Sequence, residues 1–464
     1  MAGGTFLSYN KTLPGVYINV KSQPTVTANI GTGGTVAMAK NLSWGEQGTV
    51  IEIIPGEDTT EKVGYPITAP EAQFLLEMMR GSDVTSAPTK ILLYRYTGTG
   101  GAAATISGTT VDDQSDPVMT YEFTAKCVGT RGNDIAVSVT ADPDTVGQYF
   151  VETFLAGTLV DAQAVTTVSG ITDNAWVAFD VTGTLDSLAA VTLTGGLDPT
   201  VSATDDAAAI TAFEPYDFDI LAYDGTTSTT VAAYVQFIKR MNEAVGKKCQ
   251  LVVGNFTGQN SKYVIAVRNG VTLSDGTNLD AQNAIPWVAG AEAGAQYNQS
   301  LTYAQYPTAV SAYPKLTEAQ LEQAVADGQI AFIDNFGLTR VCTDINSKTS
   351  VTVAEGAEFK KNRLMRVINQ LCNDTYAYFS QYFIGKVDNN PDGRSLLRAW
   401  LIGYLNDMQS NNGIQNFTAE DVEVLPGTTI DAVIINILIQ PVDSVEKIYI
   451  TVTVDANIAV VTTA

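Results

Sequence analysis

With no histidine among its 464 residues, this chain must rest any chemistry on carboxylates, amines, hydroxyls and four cysteines. Imidazole acid–base work, Ser-His-Asp and Cys-His nucleophilic sites and His-containing zinc sites are thereby excluded. Cys127, Cys249, Cys342 and Cys372 stand at least 30 residues apart. They form no CxxC pair and read as buried free thiols. Gly31-Thr32-Gly33-Gly34 and Gly98-Thr99-Gly100-Gly101 lack both the spacing and the lysine of a phosphate loop, so they read as turns. No dinucleotide fingerprint follows a strand. Asp217 and Asp219 flank Phe218 and could share one face, the only carboxylate pairing with any catalytic promise. Asp205 and Asp206 fall in the first turn of an expected helix, where the dipole favours anions. Residues 388–392 resemble part of a calcium loop, but no Glu completes the ligand set. These residues predict no catalytic site, no metal site and no cofactor.

One basic cluster stands out. Lys360, Lys361, Arg363 and Arg366 open a helix expected over 358–383, and Arg394 and Arg398 open the next. If that helix starts at Glu358, then Lys360, Arg363 and Arg366 are three apart and form one ridge. Leu364, Val367, Ile368 and Leu371 then face the core, which leaves the ridge exposed as a docking surface for an acidic partner or another copy of the chain.

The elements around these residues follow from periodicity. Strands are expected at Val36–Ala39, Thr49–Ile54 and Lys90–Tyr96, with a helix over Pro70–Met79. Residues 97–200 change to Gly, Thr, Ala, Val and Asp, with alternating runs cut by turns, and read as an inserted all-β domain. From about 201, helices and buried strands alternate. Helices are expected at Ala203–Phe213, Thr230–Val245, Ala281–Gln296 and from Thr317 to about Asp327. Strands are expected at Phe218–Tyr223, Cys249–Gly254, Tyr263–Val267 and Ile330–Ile333. Such alternation implies a layered α/β core. Further on come a hairpin of 338–343 with 350–353, two long helices, and two strands, 430–440 and 447–454, joined through 441–444. The fold class is therefore α/β and multidomain. Its parts are an N-terminal arm (1–24), a core split between 25–96 and 201–335, the insert (97–200), a C-terminal α/β domain (336–454) and a C-terminal arm (455–464). The arms carry lone extended runs, Val16-Tyr17-Ile18-Asn19-Val20 and Ile458 with Val460. A lone strand cannot satisfy its own backbone groups and needs a partner, in its own chain or a neighbour's.

Composition narrows the partners. Charged residues make up only 16%, and 26 Lys plus Arg against 49 Asp plus Glu leave a net charge of −23. Such a chain is unsuited to nucleic acid or to an anionic membrane surface. The start of the chain lacks the basic and apolar regions of a signal peptide, and no apolar run is long enough to span a bilayer.

The opening Gly3-Gly4-Thr5-Phe6, Asn10-Lys11 and Pro14-Gly15-Val16-Tyr17-Ile18-Asn19, with Lys361-Asn362-Arg363-Leu364-Met365-Arg366-Val367 and the paired C-terminal strands, resembles contractile tail sheath proteins. The resemblance is to the branch found in myoviruses, defective prophages and phage-tail-like bacteriocins of Gram-positive bacteria, and it covers essentially the whole chain. It implies a helical homo-oligomer around an inner tail tube, bounded by baseplate and tail terminator proteins, in a virion tail or tail-like particle assembled in the host bacterial cytoplasm. It also implies that the terminal arms add strands to neighbouring subunits, and that contraction drives the tube through the target envelope without nucleotide hydrolysis. The alternatives are another phage tail or surface-layer structural protein, or an enzyme restricted to Ser-Lys or carboxylate-pair chemistry.

Overall fold

The computed structural model describes residues 34–353 and 355–454. Both terminal arms, with Val16–Val20, Ile458 and Val460, lie outside the described residues. The centre of the chain is a seven-stranded sheet. Its order is Gln329–Ile330, Val264–Val267, Gln250–Gly254, Ile220–Tyr223, Thr35–Lys40, Lys90–Arg95 and Val50–Ile53. All neighbours are parallel except the Val50–Ile53 edge strand. Both faces are covered, which is why these strands read as continuous apolar runs. Val36 and Met38 face a core built on Phe74, Leu75, Trp287 and Val288, while Ala37 and Ala39 face one built on Phe213, Val231, Tyr234 and Ile238. The helices Ala203–Phe213, Ser228–Arg240, Ala281–Gly294 and Glu318–Ala326 fall within a few residues of expectation. Thr317 caps the last of them in a reciprocal box with Gln320.

Between residues 103 and 192 lie two antiparallel sheets. Three strands, Ala103–Val111, Pro117–Val128 and Val177–Gly183, oppose four, Leu188–Thr192, Ile135–Ala141, Tyr149–Leu155 and Thr158–Val165. Phe123, Val137, Val151 and Val177 fill the space between them, joined by Trp44 from the α/β body. Trp44 stacks on Trp176 with ring centroids 5.1 Å apart.

The C-terminal part packs the helices Asn362–Tyr382 and Pro391–Ser410 around Val367, Leu371, Leu401, Leu405 and Met408. Three expectations fail in this half of the chain. The Ile330–Ile333 run splits: Gln329–Ile330 closes the large sheet, and Phe332–Asn335 leaves it to pair with Leu338–Val341. The 338–343 strand therefore has its partner on its N-terminal side rather than at 350–353, because a two-residue Phe336-Gly337 turn closes that hairpin at once. The segment that follows is held by polar contacts instead, with the Asn260 carboxamide oxygen accepting from the Thr349 and Ser350 N–H groups. Likewise Val433–Ile437 pairs with Val422–Pro426, which alternation had not marked as a strand, while residues 447–454 pair with nothing among the described residues.

Candidate assembly surface

In a doubly wound sheet a ligand would enter at the carboxyl ends of the strands where the strand order reverses. Here that point lies between Thr35–Lys40 and Ile220–Tyr223, because the chain adds Lys90–Arg95 on one side before returning to the other. At that point the Lys40 ammonium is ion-paired with Asp224 and lies 5.5 Å from the Phe74 ring centroid. A recess of about 380 Å³ opens at the opposite, amino end of the sheet, lined by Thr35, Asp219, Lys248, Gln370 and Asp374. Asp219 is committed there, its carboxylate accepting the Gly34 and Thr35 N–H groups at 2.7 and 2.9 Å. Burial nevertheless pushes its pKa up. Asp217 lines the same recess, but it is exposed and paired with Lys247 at 2.8 Å, so the two carboxylates are held by different partners. Asp205 completes a capping box with Ser202, and Asp206 accepts from the Tyr96 hydroxyl at 2.7 Å. The cysteines are unpaired. Burial pushes the Cys249 thiol up to about 12 and raises those of Cys127, Cys342 and Cys372, which leaves them protonated and poorly nucleophilic. Among the described residues no group of three or more Cys, Asp or Glu could hold a metal ion.

The basic cluster is arranged differently from the expected ridge. The helix begins at Asn362, because Ala357–Lys360 forms a 3-10 turn and Lys361 is extended with ψ 125°. Lys360 therefore lies off the helix and is not in line with Arg363. Arg366 is the clearer correction. Its side chain is only 10% exposed and reaches inward, pairing with Glu292 and, at 2.6 Å, with Asp344. It is consequently not available for docking. Glu292 is the sole ionisable residue of the Ala281–Gly294 helix, and this cluster ties that helix to the C-terminal part. Sequence reasoning missed both acidic partners, although a lone Glu in an Ala- and Gly-rich helix was a visible signal. Lys361 is paired with Glu446, whose other oxygen accepts from the Thr302 hydroxyl at 2.7 Å. Arg394 and Arg398 donate to Asn389, Ala419 and Val422 rather than facing solvent alone. Arg363 is poorly satisfied for a half-buried cation. One long bond of 3.4 Å reaches the Asn412 carbonyl, and its buried Nε has no partner among the described residues.

Beyond the Lys361–Glu446 anchor the chain runs out as Lys447-Ile448-Tyr449-Ile450-Thr451-Val452-Thr453-Val454. Its composition is that of a strand, rich in β-branched and aromatic residues. Yet Ile448, Tyr449, Ile450, Val452 and Val454 are 73% to 89% exposed and no backbone ladder among the described residues covers them. In the same C-terminal part, the Val422–Pro426 and Val433–Ile437 hairpin pairs only within itself among the described residues. Strand edges without a partner are a template for pairing between chains.

The architecture is thus a doubly wound α/β body with a β-sandwich set into it and a C-terminal part whose hairpin pairs only within itself among the described residues. Comparison with known proteins agrees. Consecutive segments match the tail sheath protein Gp18 domain III N-terminal region (33–95), the phage tail sheath protein beta-sandwich domain (99–198), its central domain (200–347) and the phage tail sheath C-terminal domain (354–455). The chain is 37% identical to the sheath tail protein of Desulfitobacterium hafniense, with a TM-score of 0.81 over 94% of this chain and 99% of that one. It is 32% identical to the uncharacterized protein YqbK of Bacillus subtilis strain 168, across 98% of this chain and 100% of YqbK. The helical sheath of the anti-feeding prophage in its contracted state shares the fold at 13% identity, with a TM-score of 0.55 over 96% of this chain and all of that one. This chain belongs to the phage tail sheath protein family.

Proposed function

We propose that the chain is the repeating subunit of a contractile tail sheath. It polymerises helically around an inner tail tube between baseplate and tail terminator proteins, and shortening of the polymer drives the tube through a target envelope. It acts mechanically, without catalysis or cofactor, as part of a virion tail or tail-like particle assembled in the host cytoplasm. The observation that carries this reading is the exposed strand-forming run 447–454, which leaves the Lys361–Glu446 anchor and has no strand partner among the described residues. Strand addition between subunits would satisfy its backbone groups and cover its apolar side chains. The arms 1–24 and 455–464, with Val16–Val20, Ile458 and Val460, serve the same exchange. Lys360 and Arg363 face the tube or an adjacent subunit. In such a polymer the work comes from two arrangements of the same contacts with different free energies.

Negative-stain microscopy of the purified chain tests the reading. The full chain forms long hollow tubes of one repeating subunit. Chains ending at Glu446 or lacking residues 1–22 keep the circular dichroism of the folded body and form none. Ordered tubes from either truncated chain would overturn strand exchange as the basis of assembly.

A further inference from the structure

The Phe332–Asn335 and Leu338–Val341 hairpin ends in the two-residue turn Phe336-Gly337, with φ of 48° and 79°. Positive φ at both central positions is the type I′ geometry, which Asn-Gly or Asp-Gly satisfies at least cost. A bulky aromatic residue is a poor choice for the first position, because its Cβ crowds the backbone in the left-handed region. Phe336 is also 100% exposed, so no side chain among the described residues covers its ring. A single exposed apolar side chain would mean little. An exposed phenyl ring held where the backbone disfavours it is a different observation, since both the conformation and the exposure oppose it in the isolated subunit.

The surroundings extend the point. The Asp334 carboxylate accepts the Ala312 N–H at 2.7 Å, which ties the hairpin to the strand Ala309–Tyr313, where Val310 and Tyr313 are also exposed. The charges near the tip are paired within the chain, Lys315 with Asp334 at 2.8 Å and Arg340 with Asp83 at 3.5 Å. In a molecule of net charge −23, this is a locally neutral place where two copies can approach without meeting the general repulsion.

We propose that Phe336 is an assembly knob, inserted into an apolar site on a second copy of this chain, with Val310 and Tyr313 flanking the contact. In a helical polymer such a contact is heterologous, a knob on one copy meeting a different patch on the next, and it builds an open array rather than a closed dimer. The inference rests on the sheath reading above.

Phe336→Asn supplies the residue that the turn prefers while deleting the ring. The thermal midpoint of the monomeric variant equals or exceeds that of the wild type, and the concentration needed for tube formation rises about tenfold or more, the scale of losing one buried aromatic contact. Phe336→Leu restores most of the assembly. A benzoyl-phenylalanine photocrosslinker at position 336 gives subunit–subunit adducts in tubes and none in dilute monomer. If wild type and Phe336→Asn assemble at the same concentration, or the crosslinker gives no intersubunit adduct in tubes, the knob is wrong while the sheath reading stands. If the wild-type chain forms no tubes under any condition, both fall.

Discussion

Arg366 sits between two carboxylates in an interior that can hold only one of them charged beside it at little cost. Asp344 accepts the Leu301 N–H at 3.0 Å as well as the guanidinium, and the nearby positive charge with these hydrogen bonds holds it below the ordinary carboxylate range despite burial. Glu292 is pushed well above that range by burial and by the charge on Asp344. The signs are opposite. The stability that Asp344 contributes is present above its unfolded value, about 3.9, and is lost as pH falls through the lower folded value. Glu292 keeps in the folded state a proton that the unfolded chain releases above about 4.3, so stability declines as pH rises from there until the folded value is passed. Glu292→Gln keeps a neutral donor in that place. Its urea midpoint should fall less between pH 5 and pH 8 than that of the wild type and should not lie below it at pH 8. Arg366→Met, in contrast, leaves Asp344 buried without its counter-charge. It should cost about 3–5 kcal/mol in urea unfolding at neutral pH. A charge reversal at this position would therefore report on folding and not on docking, whereas Arg363→Glu remains a usable probe of the surface.

At the scale of elements, the sandwich is joined to the α/β body at two kinds of contact. The chain enters and leaves side by side, with Thr99 bridged to Thr200 and Ala102 to Leu197. The two parts also share side chains: Trp44 enters the sandwich core, the Arg131 Nε donates to the Gly64 carbonyl at 2.8 Å, and the Arg131 guanidinium lies 4.2 Å from the Tyr65 ring centroid. Replacing residues 100–197 by a short Gly-Ser linker should thus leave a body that melts cooperatively, because the cut ends are already adjacent. Its thermal midpoint should be lower and its Trp44 fluorescence red-shifted, because that indole loses Trp176 and meets water. A non-cooperative melt would show instead that the body needs the sandwich in order to fold.

For the whole molecule, the dominant quantity is charge. With −23 on each subunit, packing many copies into one polymer sets like charges against one another. Raising ionic strength from about 0.01 to 0.15 M shortens the Debye length from about 30 to 8 Å. Tube formation by the purified chain should therefore be promoted by added salt over that range, as measured by sedimentation at fixed protein concentration. Assembly that weakens steadily with salt would mean that complementary ion pairs such as those available to Lys360 and Arg363 outweigh the general repulsion.

The amino-acid sequence alone determined the alternation of buried strands with amphipathic helices, the run of β-forming segments between 103 and 192 and the absence of histidine chemistry. All of these are local properties of pattern and composition, which is why they were legible without coordinates. It also carried the capping box at Thr317, whose partners are three residues apart. The tertiary structure decided which strand meets which: Leu338–Val341 with Phe332–Asn335, and Val433–Ile437 with Val422–Pro426. It decided, too, that the Arg366 side chain turns inward to Glu292 and Asp344, 74 and 22 residues away along the chain. Helical spacing places a side chain on a face, but it does not say what that face meets. A cation on an apparently polar stripe is a surface group or a buried ion pair according to where distant carboxylates are brought by the fold, and that is set by packing rather than by any local preference of the backbone.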